Sequence, residues 1–169
     1  MWYTFFVVLH ILSAGVVIGL LTMTIIATSM RKKMKGTAAE IGSIRGGAMM
    51  APIMANIGSI GLLVTGVVMT IMQYNSSFFA FNTLPWLAMM QTDFVIIMAI
   101  SGAVLMPNGK KILAKASAEL AGPNAARGAS EELLALVSKQ FMISNIVGIL
   151  LFIAVYLGES KSLMWVTGQ

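Results

Sequence analysis

The sequence predicts an all-α protein, a transmembrane antiparallel four-helix bundle with N-terminus and C-terminus both outside. Three observations carry that reading: long apolar runs, the placement of the basic residues, and aromatic side chains at one set of span ends. Of 169 residues, 58% are hydrophobic and only 10% charged, and the mean hydropathy is +0.89. Soluble domains carry about 25% charged residues, so an ordinary globular core is excluded. Apolar runs near 20 residues, the length that crosses a hydrocarbon layer of about 30 Å, fall at 3–29, 48–73, 86–107 and 140–158. The chain 1–169 reads as a single four-span membrane domain with connections 30–47 and 108–139 on the inner side.

The first span, MWYTFFVVLHILSAGVVIGLLTMTIIATSM, has no basic residue before its apolar run. The run also exceeds a signal-peptide core of about 7–15 residues, so it reads as a retained helix. The connection after it carries Arg31, Lys32, Lys33, Lys35 and Arg45 against Glu40. The next connection, QYNSSFFAFNTLP, has no charge. The third carries Lys110, Lys111, Lys115, Arg127 and Lys139 against Glu119, Glu131 and Glu132. Positive-inside bias places the two basic connections in the cytoplasm. Trp2, Tyr3, Tyr74, Trp86, Tyr156 and Trp165 fall at the opposite ends, where amphipathic rings favour the interface. The net charge of +5 is thus an orientation signal in contact with lipid headgroups, not a nucleic-acid footprint.

Within the third connection, KKILAKASAEL continues as a short surface helix until Gly122, Pro123 and Gly128 break it. Ser130 is a good N-cap, with Glu131 and Glu132 on the positive helix terminus. The last helix therefore starts near Glu131, before it enters lipid.

At 100° per residue, His10, Ser13, Val17, Leu21, Thr24 and Thr28 share one arc of the first helix. Gly15, Gly19 and Thr22 lie opposite, a small-residue seam that would permit close helix approach or a homodimer. The second span has a stripe of Asn56, Ser59, Gly66, Thr70 and Gln73; the fourth has Ser138, Asn145, Gly148, Phe152 and Tyr156. Ser13, Asn56 and Asn145 are expected as secondary polar lining, bonding between helices for about 0.6 kcal/mol per pair.

His10 is the only histidine, and Asp93 is the only acidic residue within a span. Each lies about 10–12 Å below the outer interface by helical rise, so the two are candidates for a buried polar pair. An acid near a span centre costs about 2.5–3.5 kcal/mol on insertion scales, which marks Asp93 for function. No cysteine is present, which excludes disulfides and thiolate metal sites. The 15 methionines are soft enough for Cu(I), but they form no spaced ligand set and read as packing residues. No soluble-enzyme motif occurs. One histidine can supply a single axial ligand to haem, the second coming from Met, water or another copy.

LHILSAG in the first span, LLVTGVVMT in the second and LPWLAMMQTDFVIIMAISGAVLMPNGKK across the third resemble a family of predicted four-span bacterial integral membrane proteins of unknown function. That family is distantly similar to the membrane domain of copper-resistance protein D and to HemJ-type protoporphyrinogen oxidase. The resemblance implies the bacterial inner (cytoplasmic) membrane, and it matches His10 to a histidine with a haem or porphyrin role. In the W-L-x-x-K pattern of the HemJ type, Met90 stands here where lysine is expected.

The expectation is a non-enzymatic membrane subunit that binds haem b or a related cofactor, with His10 as iron ligand. Two other readings accompany it: a proton-coupled transporter or permeation subunit using His10 and Asp93, and a structural subunit of a larger membrane complex.

Overall fold

The computed structural model describes residues 1–74 and 85–166. Residues 75–84 of the uncharged second connection and the side chains of Tyr74 and Trp165 lie outside the described residues. Five helices follow in order: α1 (Trp2–Lys33), α2 (Ala38–Tyr74), α3 (Pro85–Ile100), α4 (Met106–Ala121) and α5 (Glu131–Val166). No strand occurs among the described residues. Among the described residues four segments are long and apolar enough to cross a membrane, the third because α3 runs on into α4 through Ser101–Leu105.

The helices outrun the spans that hydropathy marks. α1 and α2 are separated by a turn at residues 34–37, so much of the expected 30–47 connection is helix. The reason is visible in the sequence: Ile41, Ile44 and Ala48 recur at helical spacing and have something to bury. At 1.5 Å per residue the 32 residues of α1 extend about 48 Å, more than the apolar layer needs. The surplus lengths of α1, α2 and α5 gather with α4 at the basic end.

That end holds a cluster of buried apolar side chains, while Leu87, Ala88, Ile97, Ile143 and Val147 are buried on α3 and α5. Ile41 and Ile44 of α2, Ile112 and Ala116 of α4, and Leu133 of α5 are buried together. Ala48, Leu120, Ala129, Leu134, Leu136 and Val137 pack around them. By contrast, no residue of α1 is buried. Apolar side chains facing acyl chains lose nothing by exposure, whereas those outside lipid must be covered.

Polar groups tie this cap shut. Glu40, only 4% exposed, accepts hydrogen bonds on Oε2 from the backbone N–H of Gly36 (3.0 Å) and of Ala129 (3.3 Å). One carboxylate thereby joins the α1–α2 turn to the segment entering α5. Glu119 accepts from the Ser130 N–H at 3.0 Å and from its hydroxyl, while Ser130 Oγ accepts the N–H of Leu133 at 3.2 Å. Ser130 is therefore the N-cap of α5. Buried Asn108 donates to Leu136 O (3.1 Å) and Gln140 Oε1 (2.8 Å), and Arg45 Nε donates to Ser117 Oγ at 3.0 Å.

The third span contains one turn of π-helix at Ser101–Leu105, where the Met106 N–H reaches Ser101 O. Pro107 follows at once. Its ring would crowd the carbonyl four residues back and it has no N–H to give. The extra residue in the turn accommodates both defects without ending the helix.

Gly128 sits at φ 82°, ψ −171°, a region open essentially to glycine alone. A Cβ there would stand 2.6 Å from Gly36 Cα and 2.8 Å from Glu40 Oε2. Gly128→Ala should therefore lower stability by about 1–3 kcal/mol, read as an earlier thermal unfolding midpoint in detergent. The same change at Gly109, which has open space around it, should leave the midpoint unchanged or raised.

Candidate functional site

The first and second helices meet along a chain of small residues on α2. A Cβ on Gly61 would fall 2.2 Å from Ser13 Oγ, and one on Gly58 would fall 2.5 Å from Val17 Cγ2. Further along, Gly66 faces the His10 ring, its Cβ position 3.5 Å from Cε1, and the Tyr3 hydroxyl donates to Gln73 Oε1. As residue number rises along α1 it falls along α2. Two glycines let the backbones approach, and that approach brings the imidazole within reach of its partner.

The partner is Thr65. His10 Nδ1 lies 2.7 Å from Thr65 Oγ1. Thr65 is buried, 4% exposed, and its hydroxyl donates to Gly61 O at 2.6 Å within α2. A hydroxyl has one proton. With that proton given to Gly61, Thr65 accepts from His10, so Nδ1 carries the ring proton. Nε2 then keeps its lone pair, and it makes no hydrogen bond among the described residues. A histidine that donates through one nitrogen and presents the other as a base is oriented as metal-ligating histidines are.

The other residues expected at the site are distributed differently. Ser13 sits in the α1–α2 contact and donates to Leu9 O at 2.8 Å, so it helps packing and does not line a chamber. Asn56 is exposed on α2. Asn145 is exposed on α5, in a cleft of about 430 Å³ between α1 and α5, walled by Leu21, Thr24, Gly148 and Phe152 among others. A methyl group added at Gly15 or Gly19 would meet nothing within 4 Å among the described residues; the close helix contact uses the glycines of α2 instead.

Asp93 belongs to α3, which packs chiefly on α5. It is 8% exposed, and its Oδ2 is buried without a hydrogen-bond partner among the described residues. No hydrogen bond or ion pair joins it to His10 among those residues; the imidazole is bound to α2 instead. Equal depth placed the two residues on one level, and helix pairing set them on different neighbours. Sequence reasoning passed over Thr65. Its signal was the Gly61-to-Thr65 spacing of four, which puts the hydroxyl over the carbonyl exposed by a glycine turn.

Among the described residues no group of three or more His, Cys, Asp or Glu side chains could hold a metal ion. A metal ion bound through protein side chains in that manner is therefore not offered by this part of the chain. A single imidazole suits a metal that arrives with most of its ligands already in place.

Asp93 carries a prediction of its own. A buried carboxylate oxygen without a partner costs about 1–3 kcal/mol, so Asp93→Asn should keep the fold and raise the unfolding midpoint in detergent. A lowered midpoint would show that the carboxylate makes a stabilising contact. No family model, curated protein or solved structure matches this chain, so its own residues are what bear on its role.

Proposed function

We propose that the protein is a membrane-embedded cofactor-binding subunit that holds haem b, or a closely related porphyrin, through Nε2 of His10. The observation that supports this reading is the His10–Thr65–Gly61 relay, which fixes the ring tautomer and leaves one nitrogen lone pair uncommitted. The donor chemistry fits a macrocycle: a haem would bring its own ring nitrogens, so the imidazole of His10 would be enough to hold it. When bound, the iron supplies one-electron chemistry or ligand binding. The chain's own residues orient the ring, Thr65 bonding Nδ1 and Gly66 packing against Cε1. A further ligand to the group would be supplied by water, a methionine or another copy of the chain.

The test is absorbance. Protein purified after expression with added haem should show a Soret band, and His10→Gln should abolish it while helicity is retained. Thr65→Val should reduce haem retention about 10–100-fold, the usual cost of losing the group that orients a ligating histidine. Wild-type protein that stays colourless after haem is supplied would overturn the proposal.

The proposal includes the orientation of the chain: an antiparallel four-helix bundle in a bacterial inner membrane, its basic cap in the cytoplasm and both termini outside. The cations at one end of the spans support it. A thiol-reactive, membrane-impermeant label should miss a cysteine introduced at Lys35 in intact cells and reach one introduced at Trp2. The reverse pattern would invert the topology.

A further inference from the structure

The cleft between α1 and α5 is separate from the His10 site, which faces α2. Its walls are Leu21, Thr24 and Ile25 on one side and Ser144, Asn145, Gly148, Ile149 and Phe152 on the other. Leu21 and Gly148 stand level, with Leu21 Cδ1 3.6 Å from the Gly148 Cβ position. Contact between the two helices is otherwise sparse, so the groove opens towards the surrounding lipid.

Polar groups are ordered along this groove. Thr24 and Thr28 spend their hydroxyls inside α1, on Leu20 O (2.9 Å) and Thr24 O (2.8 Å). The side chains of Ser144 and Asn145 make no hydrogen bond among the described residues, so these donors remain available within an apolar wall. Leu21, Ile25, Thr28 and Lys32 recur at three- and four-residue spacing and share one face of α1. Lys32 is exposed at the basic end, eleven residues beyond Leu21, or about 16 Å by helical rise. That is about half of a 30 Å hydrocarbon layer, the reach of an acyl chain of one leaflet. Glutamates of the cap are largely engaged, Glu40 with backbone N–H groups and Glu119 and Glu132 with Ser130 and Lys115. Lys32 makes no ion pair among the described residues.

We propose that this groove binds one anionic phospholipid, the end of its acyl chain between α1 and α5 and its phosphate at Lys32. A zwitterionic lipid would bring its own cation to Lys32.

Native mass spectrometry of the intact protein, extracted from vesicles of equal phosphatidylglycerol and phosphatidylcholine, tests this. One phosphatidylglycerol should be retained per chain. Gly148→Leu, which fills the groove from α5, should cut that occupancy at least tenfold, and Thr24→Leu should do the same from α1 if the first variant folds poorly. Lys32→Gln should lower it several-fold and Lys32→Arg should restore it, with circular dichroism unchanged throughout. Equal retention of the two lipids, equal occupancy in the groove-filling variants, or a lipid-free dimer in their place would overturn the proposal.

Discussion

In hydrocarbon, pressing leucine against leucine yields little, because the acyl chains are as apolar as the side chains they would leave. This constraint divides the molecule. Within the spans, adhesion depends on how closely backbones approach and on a few polar contacts. Outside them, water restores the hydrophobic effect, and the chain builds a small conventional core. The buried cluster of Ile41, Ile44, Ile112, Ala116 and Leu133 lies wholly in that second zone. α1, which belongs mostly to the first, buries none of its residues.

The two zones make different demands on glycine. Gly58 and Gly61 are needed for what they lack, since any side chain there would collide with Val17 or Ser13. Gly128 is needed for its backbone, which no other residue adopts without strain. Both kinds converge on a polar contact. The first brings His10 to Thr65; the second lets the Ala129 N–H reach Glu40. Each contact is inexpensive to form because the backbone geometry that permits it is already imposed.

The weak contact between α1 and α5 follows from the same arrangement. α1 spends its close approach on α2, and α3 packs on α5, while α4 and the cap link the pairs at one end. A groove remains where the pairs face each other across the bilayer. The π-helical turn at Ser101–Leu105 lets the third span stay continuous past Pro107 into α4, so a continuous helix joins the cap to one of the two pairs.

Much of this was legible in the residues. Length and apolarity of four segments announced four spans, since the bilayer imposes one length on every crossing. Ser130 declared the start of α5, because capping is a local matter of one side chain and a few backbone N–H groups. Periodicity also grouped Asn145, Gly148 and Phe152 on one face, and the cleft uses that face. What periodicity cannot say is which helix a face will meet. Depth set His10 and Asp93 level, yet the partner of His10 is Thr65 on α2, because the glycines that admit a close neighbour are on α2 and not on α3. Likewise Gly15 and Gly19 formed a seam by spacing alone, but a seam acts only where another helix presents itself. The sequence by itself determined the spans, the caps and the faces, all governed by neighbours within a few residues. Tertiary structure alone decided the pairing of helices, since that is settled by steric fit between residues some fifty positions apart.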